Sequence, residues 1–249
     1  MTDTTAHATG ARGSVRVERG AKRIRAFLRG HLVADTTSPL LVWEKPFYPA
    51  YYLPSGDVRA ELVPTDEVEH SPSRGEGRLL DVRVAGVTAP RAALRYADSP
   101  FEELRDAVRL EWSAMDAWFE EDEQVFTHPR SPYTRVDILP SSRPVRVEAD
   151  GVVIAETTSA MLLFETGLPT RYYLPKTHVR MDLLQPTATE SHCPYKGQAE
   201  YWSLNAGGDV REDVAWSYPT PLPESERVAG LVCFYPEKVE LYVDGARQT

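Results

Sequence analysis

The chain repeats itself once, and this repeat constrains the fold more than any other feature. The segment HLVADTTSPLLVWE (31–44) matches VVIAETTSAMLLFE (152–165), and YYLPSGDVRAEL (51–62) matches YYLPKTHVRMDL (172–183). Both matches have the same offset of 121 residues. Because an internal repeat is normally a unit of structure, the constant offset indicates a tandem duplication. It predicts two domains of similar fold.

The repeat also places the domain boundaries. We expect a first domain over 15–125 and a second over 143–249. The joint, 126–142, is rich in Pro and Ser but contains several large apolar residues, so we expect it to pack rather than to act as a free linker. Residues 1–14 are small and polar with little apolar surface, which predicts a flexible tail.

Short alternating runs indicate the fold class. In the second copy, RVEADGVVIAET shows apolar and polar residues alternating on either side of Asp-Gly, the signature of a β-hairpin. Further short β-rich runs follow, each interrupted by Gly or Pro. In the first copy, SPFEELRDAVRLEW predicts a short helix from its start signal and its apolar spacing. The chain is therefore predicted to be mainly β, with antiparallel sheets and a few short helices.

Composition excludes several classes of partner. The net charge of −9 and the pI near 5.2 argue against nucleic acid, whose binding requires clustered Lys and Arg. No run of about 18 apolar residues occurs, so we expect no membrane span, and the N-terminus lacks the apolar core of a signal peptide. A cytoplasmic protein is expected. The two cysteines are too few for a disulfide framework.

The second copy carries motifs that resemble a known family. The segments ETGLPTRYYLP, CPYKGQAEYWSL, AWSYPTPLPE and CFYPEKVELYVDG look like the bacterial domain-of-unknown-function family 427. The resemblance implies a β-tent, in which two antiparallel sheets lean together, similar to methionine sulfoxide reductase B and the ligand-binding domain of cereblon. It implies no established reaction. The first copy looks like the degenerate N-terminal half of tandem members, with Ser71, Ser73, Arg74 and Leu94 in place of the Cys, aromatic, Lys and Trp of the motif.

The sequence gives little support for a metal or a cofactor. A structural zinc needs four N or S ligands in closely spaced pairs, whereas Cys193 and Cys233 lie 40 residues apart. Adjacent His192 and Cys193 would face opposite sides of a strand. Neither a phosphate-binding Gly-rich loop nor a Gly-Ser pair leading to paired carboxylates occurs, so nucleotidyl transfer is not supported either. We expect neither a metal nor a cofactor.

Cys193 is the candidate nucleophile. Lys196 and His192 lie close to it in sequence, and positive charge stabilises a thiolate. In the alternative interpretation, Cys193 opens a strand and simply packs under aromatic rings, as buried free cysteines commonly do. Cys233 lies in the apolar run LVCFY and is predicted to belong to the core.

A ligand pocket is the other candidate site, because the second copy is rich in aromatic residues there and aromatic rings with polar tips line many small-molecule sites. Alternation predicts that neighbouring Tyr201 and Trp202 face opposite sides of the sheet. Lys196 could bind an anionic group or cap a turn, and Glu165 could face the pocket or pair with an arginine such as Arg180. The predicted ligand-binding residues are Glu165, Tyr173, Tyr195, Trp202, Trp216 and Tyr218.

The joint contains a further constellation, HPRSPYTRVD, which either contributes to a site or only braces the two domains. Taken together, the residues favour a protein that binds a small molecule in the second domain near Cys193. The first alternative is a cysteine-dependent enzyme that uses Cys193 and Lys196, with His192 tuning the thiol. The second is a protein-interaction module that uses the acidic first domain.

Overall fold

The chain is described by a computed structural model that covers residues 15–205 and 210–248. It forms two compact units, one ending at Ser131 and one beginning at Pro132. The division therefore falls inside the predicted joint. The predicted tail, 1–14, lies outside the described residues. No helix within these residues is both long and apolar enough to cross a membrane.

The first unit consists of two antiparallel sheets. A seven-stranded sheet has the order β1-β4-β5-β9-β8-β7-β6, and a four-stranded sheet has the order β11-β10-β2-β3. The strands are β1 (Arg16–Arg19), β2 (Ile24–Leu28), β3 (His31–Thr36), β4 (Leu40–Trp43), β5 (Ala50–Pro54), β6 (Glu61–Ser71), β7 (Gly75–Val84), β8 (Val87–Arg95), β9 (Ala107–Leu110), β10 (Ala117–Glu120) and β11 (Glu123–Val125), with one helical turn, α1 (Glu102–Arg105), and 3₁₀ turns at Ser55–Asp57 and Trp112–Ala114.

The second unit repeats this arrangement. Its seven-stranded sheet has the order β12-β15-β16-β20-β19-β18-β17, and its four-stranded sheet has the order β14-β13-β21-β22. The strands are β12 (Val136–Ser141), β13 (Val145–Ala149), β14 (Val152–Thr157), β15 (Ala160–Glu165), β16 (Arg171–Leu174), β17 (Leu184–Cys193), β18 (Gly197–Leu204), β19 (Arg211–Ser217), β20 (Val232–Phe234), β21 (Glu240–Val243) and β22 (Ala246–Arg247), with 3₁₀ turns at Lys176–His178, Met181–Leu183 and Pro223–Val228.

The prediction of a mainly β chain with antiparallel sheets is confirmed. The Asp-Gly hairpin is confirmed as well: Asp150 and Gly151 have positive φ angles of 51° and 77° and join β13 to β14. Arg29 and Gly30 adopt the same turn in the first unit, with φ of 50° and 77°. Positive φ at both central residues matches the right-handed twist of the flanking strands, which explains why Asp-Gly marks this turn.

The helix predicted from SPFEELRDAVRLEW is only partly correct. Its middle forms the single turn α1, but Ala107–Leu110 forms the central strand β9. Val108 and Leu110 are almost fully buried, and β9 pairs with both β5 and β8. Pairing on both sides of the strand outweighs the helical preference of the local sequence, as tertiary context commonly does.

Each unit has two apolar clusters because its large sheet has two faces. The inner face packs against the four-stranded sheet; in the second unit this core includes Val147 and Trp202. The outer face carries a separate cluster, which in the second unit includes Tyr173 and Trp216. Alternation along each strand assigns neighbouring residues to the two faces. The predicted site residues Trp202 and Trp216 therefore fall in different clusters.

Candidate functional site

Cys193 lies at the start of the tight turn that joins β17 to β18. Cys193 pairs with Gly197, whose φ of +93° is accessible to glycine without strain. In the first unit, Ser71 pairs with Gly75, which has φ of +88°. The shared glycine therefore serves the turn, as its retention in both copies indicates. In the second unit the Leu222 amide donates to the Lys196 carbonyl over 3.2 Å, which holds the turn against the segment before the last 3₁₀ turn.

Lys196 and Glu165 form an ion pair at this turn. Lys196 Nζ lies 2.5 Å from Glu165 Oε2, and only 11% and 8% of the two side chains are exposed. Glu165 ends β15 and points to the same face as Leu163, a member of the outer cluster. Arg180, considered as the partner of Glu165, instead binds Asp182 over 2.6 Å. Lys196 is thus the cation that neutralises Glu165.

Three predicted aromatic residues meet on the outer face. Tyr173, Trp216 and Tyr218 are at most 6% exposed and pack with fully buried Cys233. Trp216 Nε1 donates to Tyr173 Oη over 3.2 Å, and the two rings meet edge to face at 6.2 Å. Burial raises the pKa of both Tyr173 and Tyr218, and the nearby Cys193 raises that of Tyr218 further. The rings form a packed wall beside the Cys193 turn.

Trp202 does not join this wall, which corrects its assignment to the same site. It lies in the inner core between the two sheets, and the Lys176 ammonium sits 4.8 Å above its ring. Tyr201, its neighbour, packs on the outer cluster instead. The cause is strand alternation, which puts consecutive side chains on opposite faces. Tyr195 lies half-buried in the turn itself, where its carbonyl accepts a hydrogen bond from Ser225 Oγ over 3.1 Å.

Sequence reasoning missed two residues at this face, Arg171 and Tyr235. The Arg171 guanidinium lies 5.4 Å from the Trp216 ring and 5.8 Å from the Tyr235 ring. Trp216 and Tyr235 are themselves in contact, with ring centroids 4.3 Å apart. The signal was available, because Arg171 lies two residues before Tyr173 and Tyr235 two residues after Cys233. A spacing of two places side chains on one face of a strand.

The thiols occupy different environments. Cys193 is half-buried, whereas Cys233 is 1% exposed and burial raises its pKa to about 12. The prediction that Cys233 belongs to the core is confirmed. His192 is exposed and alternates with Cys193 along β17. Among residues 15–205 and 210–248, no three His, Cys, Asp or Glu side chains lie close enough together to hold a metal ion.

The first unit replaces this site with a more highly charged cluster. Arg74 lies 3.7 Å from Glu44, so the substitution of the motif lysine keeps the ion pair. Tyr52 pairs across the sheet with Arg109 just as Tyr173 pairs with Cys233, so Arg109 takes the place of the buried thiol. Arg109 Nη1 and Tyr52 Oη both donate to Glu44, over 2.7 and 2.6 Å. The first copy therefore keeps a cluster of polar and charged side chains at this position, with an arginine in place of the buried thiol.

The HPRSPYTRVD segment contributes to each unit separately. In the first unit, the His128 ring stacks on Tyr48 with centroids 3.9 Å apart, and Arg130 binds Glu123. In the second unit, Arg135 Nε donates to Asp137 Oδ1 over 3.0 Å. These local pairs account for part of the charge in the segment.

A family model described as "Domain of unknown function (DUF427)" matches the chain twice, over residues 16–121 and 137–245. The chain belongs to this family. Each match covers nearly all the strands of one unit, so the protein is a tandem of two DUF427 domains. A comparison with curated proteins finds no match.

Proposed function

We propose that the second DUF427 domain binds a small molecule that carries an anionic group, on the outer face of its large sheet. The proposed Cys193 site consists of Cys193, Lys196, Glu165, Arg171, Trp216 and Tyr235. The observation that carries the proposal is the position of Arg171. It is half-buried over two rings and forms no ion pair with any described residue.

The charge balance of the site supports an anionic ligand. Lys196 and Glu165 neutralise each other at 2.5 Å, which leaves the charge of Arg171 in excess. A planar guanidinium held on aromatic faces binds carboxylates through paired hydrogen bonds. The buried ion pair adds little stability, because desolvation of both charges opposes their attraction. Its presence at the Cys193 turn is therefore better explained by a role in positioning the turn and its ligand.

The aromatic wall supports a ligand with an apolar or aromatic body. Trp216 and Tyr173 are fixed by their hydrogen bond, and Tyr235 and Tyr201 remain half-buried at the edge of the cluster. Rigid rings with a few polar tips provide contact area and orientation at small entropic cost. The ring of a small aromatic carboxylate would pack on the aromatic wall, and its carboxylate would bind Arg171.

The test measures binding to the full chain and to matched variants. Native mass spectrometry of the purified protein looks for a co-purifying small molecule, and phenylacetate titrated by isothermal titration calorimetry serves as a defined probe. We expect binding in the wild type and at least about a tenfold loss in Arg171→Leu and Trp216→Leu. Trp216→Leu introduces the residue that the first domain carries at the equivalent position, Leu94, and thermal melts verify that the variant folds.

Arg180→Leu is the matched control, because it removes an exposed cation of the same domain that pairs with Asp182. It should bind like the wild type. Equal losses in Arg171→Leu and Arg180→Leu would contradict the proposal. So would a wild-type chain that carries no extra mass and does not bind phenylacetate.

A thiol reaction at Cys193 is the second candidate function. The observation in its favour is that Cys193 is half-buried beside the ion pair, whereas Cys233 is sealed in the core. In this alternative Cys193 is the nucleophile and Lys196 the neighbouring cation. The test is the rate of iodoacetamide modification at neutral pH. A rate no faster than that of a free thiol removes the physical basis of this alternative.

A further inference from the structure

The first domain contains a cavity of about 300 Å³ that differs from the Cys193 site. It lies at the end of the large sheet, where β4 ends, β5 begins and β9 ends. Its volume is at the lower end of the range for small-molecule sites, roughly 300–1,000 Å³. Its lining includes Tyr48, Tyr51, Arg109, Trp112, Trp118 and His128.

Aromatic rings form part of its wall. Trp112 and Trp118 are stacked in parallel, with centroids 4.8 Å apart and an interplanar angle of 3°. Tyr51 lies 6.4 Å from the first of these rings and 6.0 Å from the second. Tyr48 and His128 form a second stack. Flat walls of this kind favour flat ligands, since stacked rings gain both buried area and ring contacts.

This wall is specific to the first domain. Trp118 pairs with Ala26 in the small sheet, and the corresponding pair in the second domain is Leu241 with Val147. Trp112 follows Arg109 by three residues, and Pro236 follows Cys233 by the same number. The second domain therefore has neither indole at the equivalent positions, Leu241 and Pro236.

A buried carboxylate, Glu120, accepts a hydrogen bond from Tyr51 of this wall. Glu120 is 4% exposed. It lies two residues after Trp118, just as Val243 lies two residues after Leu241, so the second domain has valine at the equivalent position. Tyr51 Oη donates to Glu120 Oε1 over 2.5 Å, and Lys22 Nζ lies 2.5 Å from Glu120 Oε2. A buried charge is costly compared with valine, and the hydrogen bond fixes the orientation of the Tyr51 ring. A role of the Tyr51 ring in ligand binding explains why the buried Glu120 charge is kept despite its cost.

The charges around the cavity are balanced. Glu44 and Glu111 face Arg109 and Lys45, and Arg109 already donates to Glu44 over 2.7 Å. A site with no excess charge gives no advantage to an ion, whereas these groups still provide donors and acceptors around the flat wall. We propose that the first DUF427 domain binds a neutral planar heterocycle of one or two fused rings in this cavity. This site differs from the Cys193 site in domain, lining and ligand charge.

Saturation-transfer NMR on the full chain tests the proposal. Quinoxaline and adenine serve as neutral heterocyclic probes, and phenylacetate and phenyltrimethylammonium as charged comparators. We expect transfer to the neutral probes, reduced at least about fivefold in Trp112→Leu and in Tyr48→Ala. Tyr48 lies in the loop before β5 and is only half-buried, so its variant tests the cavity with little effect on the core. Thermal melts verify that both variants fold.

Trp216→Leu is the control that separates this site from the Cys193 site. It should leave quinoxaline binding unchanged, while Trp112→Leu should leave phenylacetate binding unchanged. The proposal is overturned if the neutral probes show no transfer at millimolar concentration, if the charged probes bind the cavity better, or if quinoxaline binding is lost in Trp216→Leu and retained in Trp112→Leu and Tyr48→Ala.

Discussion

Lys196 and Glu165 form a nearly buried ion pair at the Cys193 turn, with Nζ 2.5 Å from Oε2. The equivalent residues of the first domain, Arg74 and Glu44, lie 3.7 Å apart. Both copies therefore keep a cation and a carboxylate at this point of the outer face, although their sequences differ around it. A surface ion pair would change readily between copies, because it contributes little to stability. A buried pair is constrained, since the loss of one partner leaves the other as a buried charge without a counter-charge.

Lys196→Met should be strongly destabilising, because it leaves the Glu165 carboxylate buried without its partner. We expect a loss of about 3–5 kcal/mol in the free energy of unfolding, measured by urea denaturation. The double variant Lys196→Met with Glu165→Met should recover most of this loss, since both charges are then absent. A single variant as stable as the double would show that the pair is effectively solvated.

Iodoacetamide should modify Cys193 in the native protein and leave Cys233 intact. Cys193 is half-buried, whereas Cys233 is 1% exposed and its pKa is raised to about 12 by burial, so it has almost no thiolate at neutral pH. Mass mapping of the alkylated peptides measures the two sites, with urea-unfolded protein as the control in which both react. Native modification of Cys233 at a comparable rate would contradict its position in the core.

The protein should lose stability as the pH rises above about 10. Burial raises the folded-state pKa of Tyr52 and Tyr173, so in the folded chain they keep protons that the unfolded chain releases. Their contribution is complete below the unfolded pKa of about 10 and is lost as the pH rises toward the folded value. Between these two pKa values, each tyrosine lowers the free energy of unfolding by about 1.4 kcal/mol per pH unit.

Tyr173→Phe removes one of these groups and should reduce the alkaline slope of the unfolding free energy by that amount. The lost hydrogen bond from Trp216 lowers stability equally at every pH, so it does not affect the slope. Tyr133→Phe is the control, because Tyr133 is 53% exposed. If the unfolding free energy fell equally steeply with pH in both variants between pH 9 and 11, the raised pKa of Tyr173 would not be the cause of the alkaline loss of stability.

Gly77→Ala should destabilise the first domain by about 1–3 kcal/mol through overpacking. A Cβ at Gly77 would lie 2.7 Å from both Leu94 and Tyr96, and these two side chains are almost fully buried. Gly56→Ala is the matched control, because a Cβ there meets nothing within 4 Å. Urea denaturation compares the two, and equal stabilities would show that the outer cluster of the first domain is loosely packed.

Local pattern was sufficient for the architecture. The offset between Tyr51 and Tyr172 revealed the duplication, and the Asp150-Gly151 turn and the alternating runs indicated antiparallel strands. These features are encoded by neighbouring residues, because turn conformation and side-chain period depend on the local backbone. The resemblance of the second copy to family 427 is likewise carried by short motifs, and the family match covers both copies.

The site required the tertiary structure. Alternation showed that Tyr201 and Trp202 face opposite sides, but only the packing of the small sheet decided that Trp202 lies in the inner core. The ion pair of Lys196 with Glu165 and the stacking of Arg171 on Trp216 join strands that are distant in sequence. The sequence by itself determined two β domains and the aromatic character of the second. The folded sheets alone decided which side chains meet, because cross-strand register brings together residues that no local pattern relates.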